Sequence, residues 1–385
     1  MEQILSQHEY LRYSRQLLLP EMGIQGQEKL KKSSVLIVGA GGLGSPVSLY
    51  LSGAGIGKIG IVDFDHIALA NIHRQVIYRT KDIGKPKVEA AKERLTELNP
   101  DIEIKIFREA FNSHNALRIA KDYDVIVDGT DNFPTRYLIN DVAFFLGISF
   151  VYGSVFKFEG QVSVFDGKKN PCYRCIFPEP PVPDSIQNCE DGGVLGVLPG
   201  VIGTIQATET IKALLGIGSS LAGKLLIYDA LDMNFDSIKL RKNSSCRLCG
   251  ENPIVTGLID YEQFCGGPRT KDNSISSINQ VDEISPDELA EKIKKKENYI
   301  LVDIREPHEI EISSIKDAHS IPLGQLSNRI SEIEGFDEII LFCRTGSRTK
   351  RGTKILKNLG IHNVKELSGG INAWAKKIDS SIIIY

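Results

Sequence analysis

Residues 34–55 read SVLIVGAGGLGSPVSLYLSGAG. SVLIVG at 34–39 is an apolar run ending in glycine and reads as a buried strand. LGSPVSLYLSGAG at 43–55 has helical periodicity, and the glycines between them form a tight turn. Working outward, KIGIVDFD at 58–65 is the next strand, PKVEAAKERLTELN at 86–99 a helix, and IEIKIF at 102–107 a strand. DVIVDGT at 124–130 and ISFVYGSV at 148–155 are further strands, separated by the helix FPTRYLINDVAFFLG. This alternation predicts a mostly parallel sheet with helices on both faces. After residue 155 the pattern changes: FEGQVSVFD and KLLIYDALDMNFDSIKL read as antiparallel additions, with the helix VIGTIQATETIKALLG between them.

A polar stretch at 266–283, GGPRTKDNSISSINQVDE, reads as a linker. A second α/β pattern follows, with SPDELAEKIKK and RTKRGTKILKNLG as helices and NYILVDIRE and EIILFCRTGS as strands running into loops. The expected division is a first domain at 1–262, a linker at 263–283 and a second domain at 284–385. The 385 residues are 42% hydrophobic and 25% charged, a globular balance. A net charge of −3 gives no footprint for nucleic acid. The N-terminus lacks the basic start and apolar run of a signal peptide, and no apolar stretch is long enough to cross a bilayer. No membrane partner and a cytoplasmic location are therefore expected.

Gly39-Ala40-Gly41-Gly42-Leu43-Gly44 follows a strand and opens a helix. Without Cβ atoms at Gly41, Gly42 and Gly44 the backbone can approach a phosphate, and the helix N-terminus supplies donors. Asp63 ends the next strand, where an acid takes ribose hydroxyls. To this point an NAD-dependent oxidoreductase fits equally well. Asn71, Arg74 and Gln75 in ANIHRQ, Lys87 in GKPKVEAA, and Asp131 and Asn132 after DVIVDGT change the balance. Each alone reads as a solvated surface group. Together, beyond strand ends, they supply cations for a triphosphate and a carboxylate for a magnesium ion, neither of which hydride transfer requires.

GAGGLG, VDFD, ANIHRQ, GKPKVE and GTDN, in that order, resemble the MoeB/ThiF family of ubiquitin-activating-like adenylyltransferases, as does RYSRQLLLPEMGIQGQEKL at 12–30. The resemblance covers about residues 10–250. It implies that Gly42, Asp63, Asn71, Arg74, Lys87, Asp131 and Asn132 bind MgATP. It also implies that Arg15 reaches the phosphates of a neighbouring subunit, hence a homodimer. The implied substrate is the C-terminal glycine of a ubiquitin-fold sulfur-carrier protein, converted to an acyl-adenylate.

The seven cysteines include two C-x-x-C pairs, Cys172/Cys175 and Cys246/Cys249. Four thiolates at this spacing suit tetrahedral zinc and leave no position for a catalytic water, so the site reads as a structural staple rather than a redox pair. The MoeB/ThiF family carries zinc at matching cysteines. Cys189, in DSIQNCEDGGVLGVLPG, lies outside both pairs. By itself it reads as a small buried residue; the family resemblance implies instead a covalent bond to the activated carrier. Cys265 receives no role.

Cys343-Arg344-Thr345-Gly346-Ser347-Arg348 follows the strand EIILF and precedes a helix. Backbone N–H groups, the helix dipole, Arg344 and Arg348 all favour an anion there, so a thiolate or a persulfide is expected at Cys343. With LVDIREPHE at 301–309, HSIPLGQL at 319–326 and LSGGINAW at 367–374, this loop resembles rhodanese domains over about 285–380. Cysteine phosphatases use C-x5-R, one residue longer than the C-x4-R here, and the smaller loop suits sulfur better than phosphate. Rhodaneses typically carry Gly-His-Ile-x-Gly-Ala where this chain has Ser313-Ser314-Ile315-Lys316-Asp317-Ala318; the fold is expected to survive that change.

The expected fold is therefore α/β: a Rossmann-like mixed sheet with a zinc-stapled antiparallel extension, followed by a smaller α/β rhodanese domain. The expected function joins ATP-dependent adenylation of a carrier's C-terminal glycine to sulfur transfer from a Cys343 persulfide, yielding a thiocarboxylate. A donor such as a cysteine desulfurase would load Cys343. The alternatives are an NAD-dependent oxidoreductase fused to a rhodanese-type regulatory domain, and a non-catalytic scaffold.

Overall fold

A computed structural model describes residues 4–166, 169–181, 192–266 and 282–385. Cys189 and most of the stretch read as linker lie outside the described residues. The chain forms two compact units, 1–269 and 270–385.

In the first unit, strands β1 (Ser34–Val38), β2 (Lys58–Val62), β3 (Glu103–Phe107), β4 (Val125–Asp128) and β5 (Ser149–Phe156) pair in parallel in the order β3-β2-β1-β4-β5. Strands β6 (Glu159–Phe165), β7 (Lys224–Asp229) and β8 (Asn234–Lys239) then extend the sheet antiparallel. The continuous apolar character of β1 has a direct cause. Val35 and Ile37 point into one core, Leu36 and Val38 into the other, and all four are essentially inaccessible. A central strand covered on both faces must be apolar throughout.

Helices α1 (Gly44–Ala54), α2 (Lys87–Leu98), α3 (Phe133–Leu146) and α4 (Leu198–Leu215) cover the sheet. Asn132 caps α3, its side chain accepting the Thr135 N–H, with Pro134 in the first turn. A short helix, Tyr261–Phe264, follows, and Phe264 packs edge-on against Tyr137 at 5.2 Å. The packed chain of this unit thus reaches into the stretch read as linker, because Phe264 and Cys265 join the second core.

The second unit is a five-stranded parallel sheet in the order β11-β10-β12-β13-β9, comprising β9 (Asp282–Ile284), β10 (Tyr299–Asp303), β11 (His319–Ser320), β12 (Glu338–Phe342) and β13 (Val364–Leu367). Residues of β12 alternate between two cores, Ile339 and Leu341 on one side, Ile340 and Phe342 on the other. Helix α5 (Pro286–Lys295) begins with a capping box between Ser285 and Glu288. Helices α6 (Ser347–Asn358) and α7 (Gly370–Lys377) complete the unit. Asp317 stands at φ 60°. This is the residue opposite the rhodanese glycine, and the departure from that pattern leaves an acid in a left-handed position while the sheet stays intact. Among the described residues, no helix is long and apolar enough to cross a membrane.

Candidate functional sites

The glycine turn sits at the C-terminal edge of β1. Gly39 has φ 94°, and a Cβ there would lie 2.6 Å from the Gly129 carbonyl, so the turn after β1 and the turn after β4 can touch only through glycine. The Asp63 carboxylate at the end of β2 accepts the Ala40 N–H (2.8 Å) and the Asp65 N–H (2.8 Å), tying two strand-end loops together. Tyr78, buried, donates its hydroxyl to the Ala40 carbonyl at 2.7 Å. Gly41, Gly42 and Gly44 thus lie on a braced backbone at the helix N-terminus, a suitable cradle for phosphate.

Around it stand the polar residues. Lys87 is largely buried and bonds Asp65 at 2.9 Å. Asn71 accepts the Ala68 N–H, and Arg74 donates to the Ala70 carbonyl at 2.7 Å and to His73 at 3.2 Å. Burial and the neighbouring Arg74 hold the His73 imidazole below its usual range, which suits it as the acceptor. Asp131 is exposed and forms no hydrogen bond or ion pair among the described residues. Arg15, on the short helix Ser14–Leu17, is likewise exposed and makes no such contact within the described residues of its own chain.

Sequence reasoning missed what holds the Asp131–Asn132 loop. Asp128, fully buried, receives Thr130 N–H and Oγ1–H on one oxygen and Arg136 Nε–H on the other at 3.0 Å. Arg136 also donates to the carbonyls of Thr130 and Gly153. The pair is i,i+8 and bridges a strand and a helix, a spacing that no local pattern marks.

The four cysteines Cys172, Cys175, Cys246 and Cys249 converge, their sulfurs lying within 4.8 Å of one another. The Cys172–Cys175, Cys172–Cys246 and Cys175–Cys249 sulfurs are 3.9, 3.6 and 3.3 Å apart. Four thiolates about 2.3 Å from one zinc ion would stand about 3.8 Å apart. Spacing and donor set both fit zinc, and all four are free of disulfides. The first knuckle is itself pinned from within by the buried Arg174–Asp141 pair (2.8 Å), with Tyr261 donating to Asp141 at 2.8 Å.

In the second unit Cys343 is buried at the end of β12, and the Gly346 N–H donates to its sulfur at 3.2 Å. The Cys343 and Arg344 carbonyls accept N–H groups from Ile371 (2.9 Å) and Asn372 (3.1 Å), in the first turn of α7. A Cβ on Gly370 would stand 2.3 Å from the Cys343 carbonyl, which explains the second glycine of LSGG. Arg348 does not simply offer its charge to the sulfur, as the spacing suggested. Both its Nη atoms donate to Glu309 at 2.6 Å. Arg305, fully buried, forks onto Asp303 and donates to the Ser313 carbonyl at 2.7 Å. Arg305 therefore ties the end of β10 to the Ser313 loop, while Glu309 of the same motif holds Arg348.

These features define two kinds of site in one chain: an α/β unit with a braced glycine turn and a four-cysteine cluster, and a parallel-sheet unit with a buried cysteine whose sulfur accepts a backbone N–H. The ThiF family profile matches residues 13–248 and the rhodanese-like domain profile residues 285–377. Proteins named adenylyltransferase and sulfurtransferase MOCS3 match nearly end to end. The one from Culex quinquefasciatus is 42% identical over 99% of this chain and 90% of its own length. MOCS3-1 of Zea mays is 40% identical over 97% of this chain and 83% of its own. Among solved structures, E. coli MccB with ATP superposes with a TM-score of 0.55 at 23% identity, covering 62% of this chain and 74% of its own, a likeness of fold.

The chain belongs to the ThiF family, with a rhodanese-like domain fused behind it, and is an adenylyltransferase and sulfurtransferase. An NAD-dependent oxidoreductase is not favoured.

Proposed function

We propose that the first unit adenylates the C-terminal glycine of a ubiquitin-fold sulfur-carrier protein and that the second replaces the activated oxygen with sulfur. The observation that carries this reading is the exposed Asp131 carboxylate, without a partner among the described residues, just beyond the Gly129 that packs on the braced glycine turn, with Arg74 on a neighbouring loop and Lys87 at the start of α2. ATP is the substrate there. Gly41, Gly42 and Gly44 leave room for its phosphates, Asp63 faces the ribose, and Asn71, Arg74, Lys87 and Asn132 hold the polyphosphate. Asp131 would hold a magnesium ion, which when bound offsets phosphate charge. Arg15 would complete the site of a second copy in a homodimer.

The carrier carboxylate attacks the α-phosphorus; the bond to the β-phosphate oxygen breaks and pyrophosphate leaves. Cys343, loaded as a persulfide by a donor such as a cysteine desulfurase, supplies the nucleophilic terminal sulfur. That sulfur attacks the acyl carbon directly, expelling AMP, or attacks a thioester on Cys189, expelling that thiolate. Either route leaves carrier and Cys343 joined through a disulfide, which a thiol cleaves to release the thiocarboxylate. The N–H of Gly346 is placed to stabilise anionic sulfur on Cys343. Zinc at the four cysteines is structural, since no coordination position stays open.

The test is ATP–pyrophosphate exchange with and without an added ubiquitin-fold protein ending in glycine. Exchange that depends on that protein supports the reading. Exchange that no such protein stimulates rejects it.

A further inference from the structure

Beside the glycine turn lies a side chain that the fold encloses without satisfying. Gln75 is 3% exposed, and its Oε1 has no hydrogen-bond partner. Its Nε2 donates to none of the described residues either. The Gln75 backbone, by contrast, is fully engaged. Its N–H donates to the Asn71 carbonyl at 2.9 Å, and its carbonyl accepts the Tyr78 N–H at 3.1 Å. Tyr78 in turn holds the Ala40 carbonyl through its hydroxyl. The main chain thus fixes Gln75 against the turn while its carboxamide is left open. Burying an amide without hydrogen bonds costs stability, and such a group marks strain, catalysis or a bound ligand.

The place where the amide faces identifies the ligand. Gln75 Nε2 lies 3.8 Å from the point where a Cβ on Gly41 would stand, and the Gly129 carbonyl lies 3.9 Å from the same point. Gly41 follows β1 and Gly129 follows β4, so the amide sits at the crevice between these two strands. There the strand order β3-β2-β1-β4-β5 reverses direction, which is where open α/β sheets take their ligands. Asp63, read above as facing the ribose, accepts the Ala40 N–H at 2.8 Å, one residue from Gly41. The phosphate nearest a ribose is the α-phosphate. An amide against Gly41 is therefore placed for that phosphate, whereas the terminal phosphates lie further from the ribose. No protein group fixes which end of the carboxamide points where, so an oxyanion can draw the N–H end toward itself.

We propose that Gln75 is a contact residue for ATP, its Nε2–H donating to a non-bridging oxygen of the α-phosphate. The inference rests on the reading that ATP occupies the glycine turn.

The experiment uses the full chain and measures two things: affinity for ATP and for AMP by equilibrium dialysis, and the unfolding midpoint of the ligand-free first unit. Gln75→Met keeps the length of the side chain and replaces the buried amide with apolar atoms. It should weaken ATP and AMP binding alike, roughly ten-fold, the loss of one hydrogen bond to a charged group. The ligand-free midpoint should hold or rise, because an unsatisfied polar group has been removed. Gln75→Glu keeps the shape but sets a carboxylate against the phosphate, and should weaken both ligands further. It carries the comparison by itself should the apolar variant fail to fold. A structural role predicts the opposite signs: a lower midpoint with unchanged affinities would overturn the inference. Weaker ATP binding with AMP binding untouched would also overturn it, because the contact would then lie beyond the α-phosphate. Wild-type protein that binds no ATP would instead remove the nucleotide reading itself, and the inference with it.

Discussion

Single residues show how a local departure from a family pattern is absorbed. Asp317 occupies a left-handed conformation, φ 60°, where L-residues are disfavoured and short polar side chains are the best tolerated. Asp317→Gly is expected to stabilise the second unit by about 0.5–1 kcal/mol. Trp374, the chain's one tryptophan, is buried in that unit, so its fluorescence in urea reads the change within the full-length protein. The convergence of the four paired cysteines, and the turn after β12 that holds Cys343, were legible because both follow fixed local spacing. Glu309 was not, because its contact with Arg348 joins residues 39 positions apart and follows no period.

At the scale of elements, the parallel strands and their helices were readable because each central strand is apolar on both faces and each turn carries glycine or a cap. The braces between elements were not. Asp128 on β4 and Arg136 on α3 form a pair in which both partners are buried. Arg136→Ala leaves an uncompensated carboxylate and is expected to cost about 3–5 kcal/mol, measured as the unfolding midpoint of the first unit. The Glu309–Arg348 pair adds a pH dependence. Burial alone would raise the Glu309 pKa, but the Arg348 hydrogen bonds outweigh it and hold the carboxyl below its ordinary value of 4.5. A depressed folded-state pKa gives stability that is fully present above the unfolded value and lost as pH falls through the folded one. The Trp374 unfolding midpoint should therefore drop below about pH 4.5. That part of the acid slope should be missing in Glu309→Gln; an identical slope in the variant would count against the pair.

For the whole molecule, the division of labour follows from two units with separate cores. The four-cysteine cluster, the proposed zinc site, belongs to the first. Chelation, or Cys249→Ser, should lower the calorimetric transition of that unit and leave the Trp374 transition where it was. Movement of both transitions together would show that the units do not unfold separately. The central proposal is that activation comes first and that Cys343 then supplies the incoming sulfur. Its most direct test is the intact mass of a ubiquitin-fold carrier after incubation with ATP, a sulfur donor and the enzyme. Wild-type protein should exchange one carrier oxygen for sulfur, and Cys343→Ala should still release pyrophosphate but yield no thiocarboxylate. Thiocarboxylate formed as readily by Cys343→Ala, or adenylation lost along with it, would contradict the assignment.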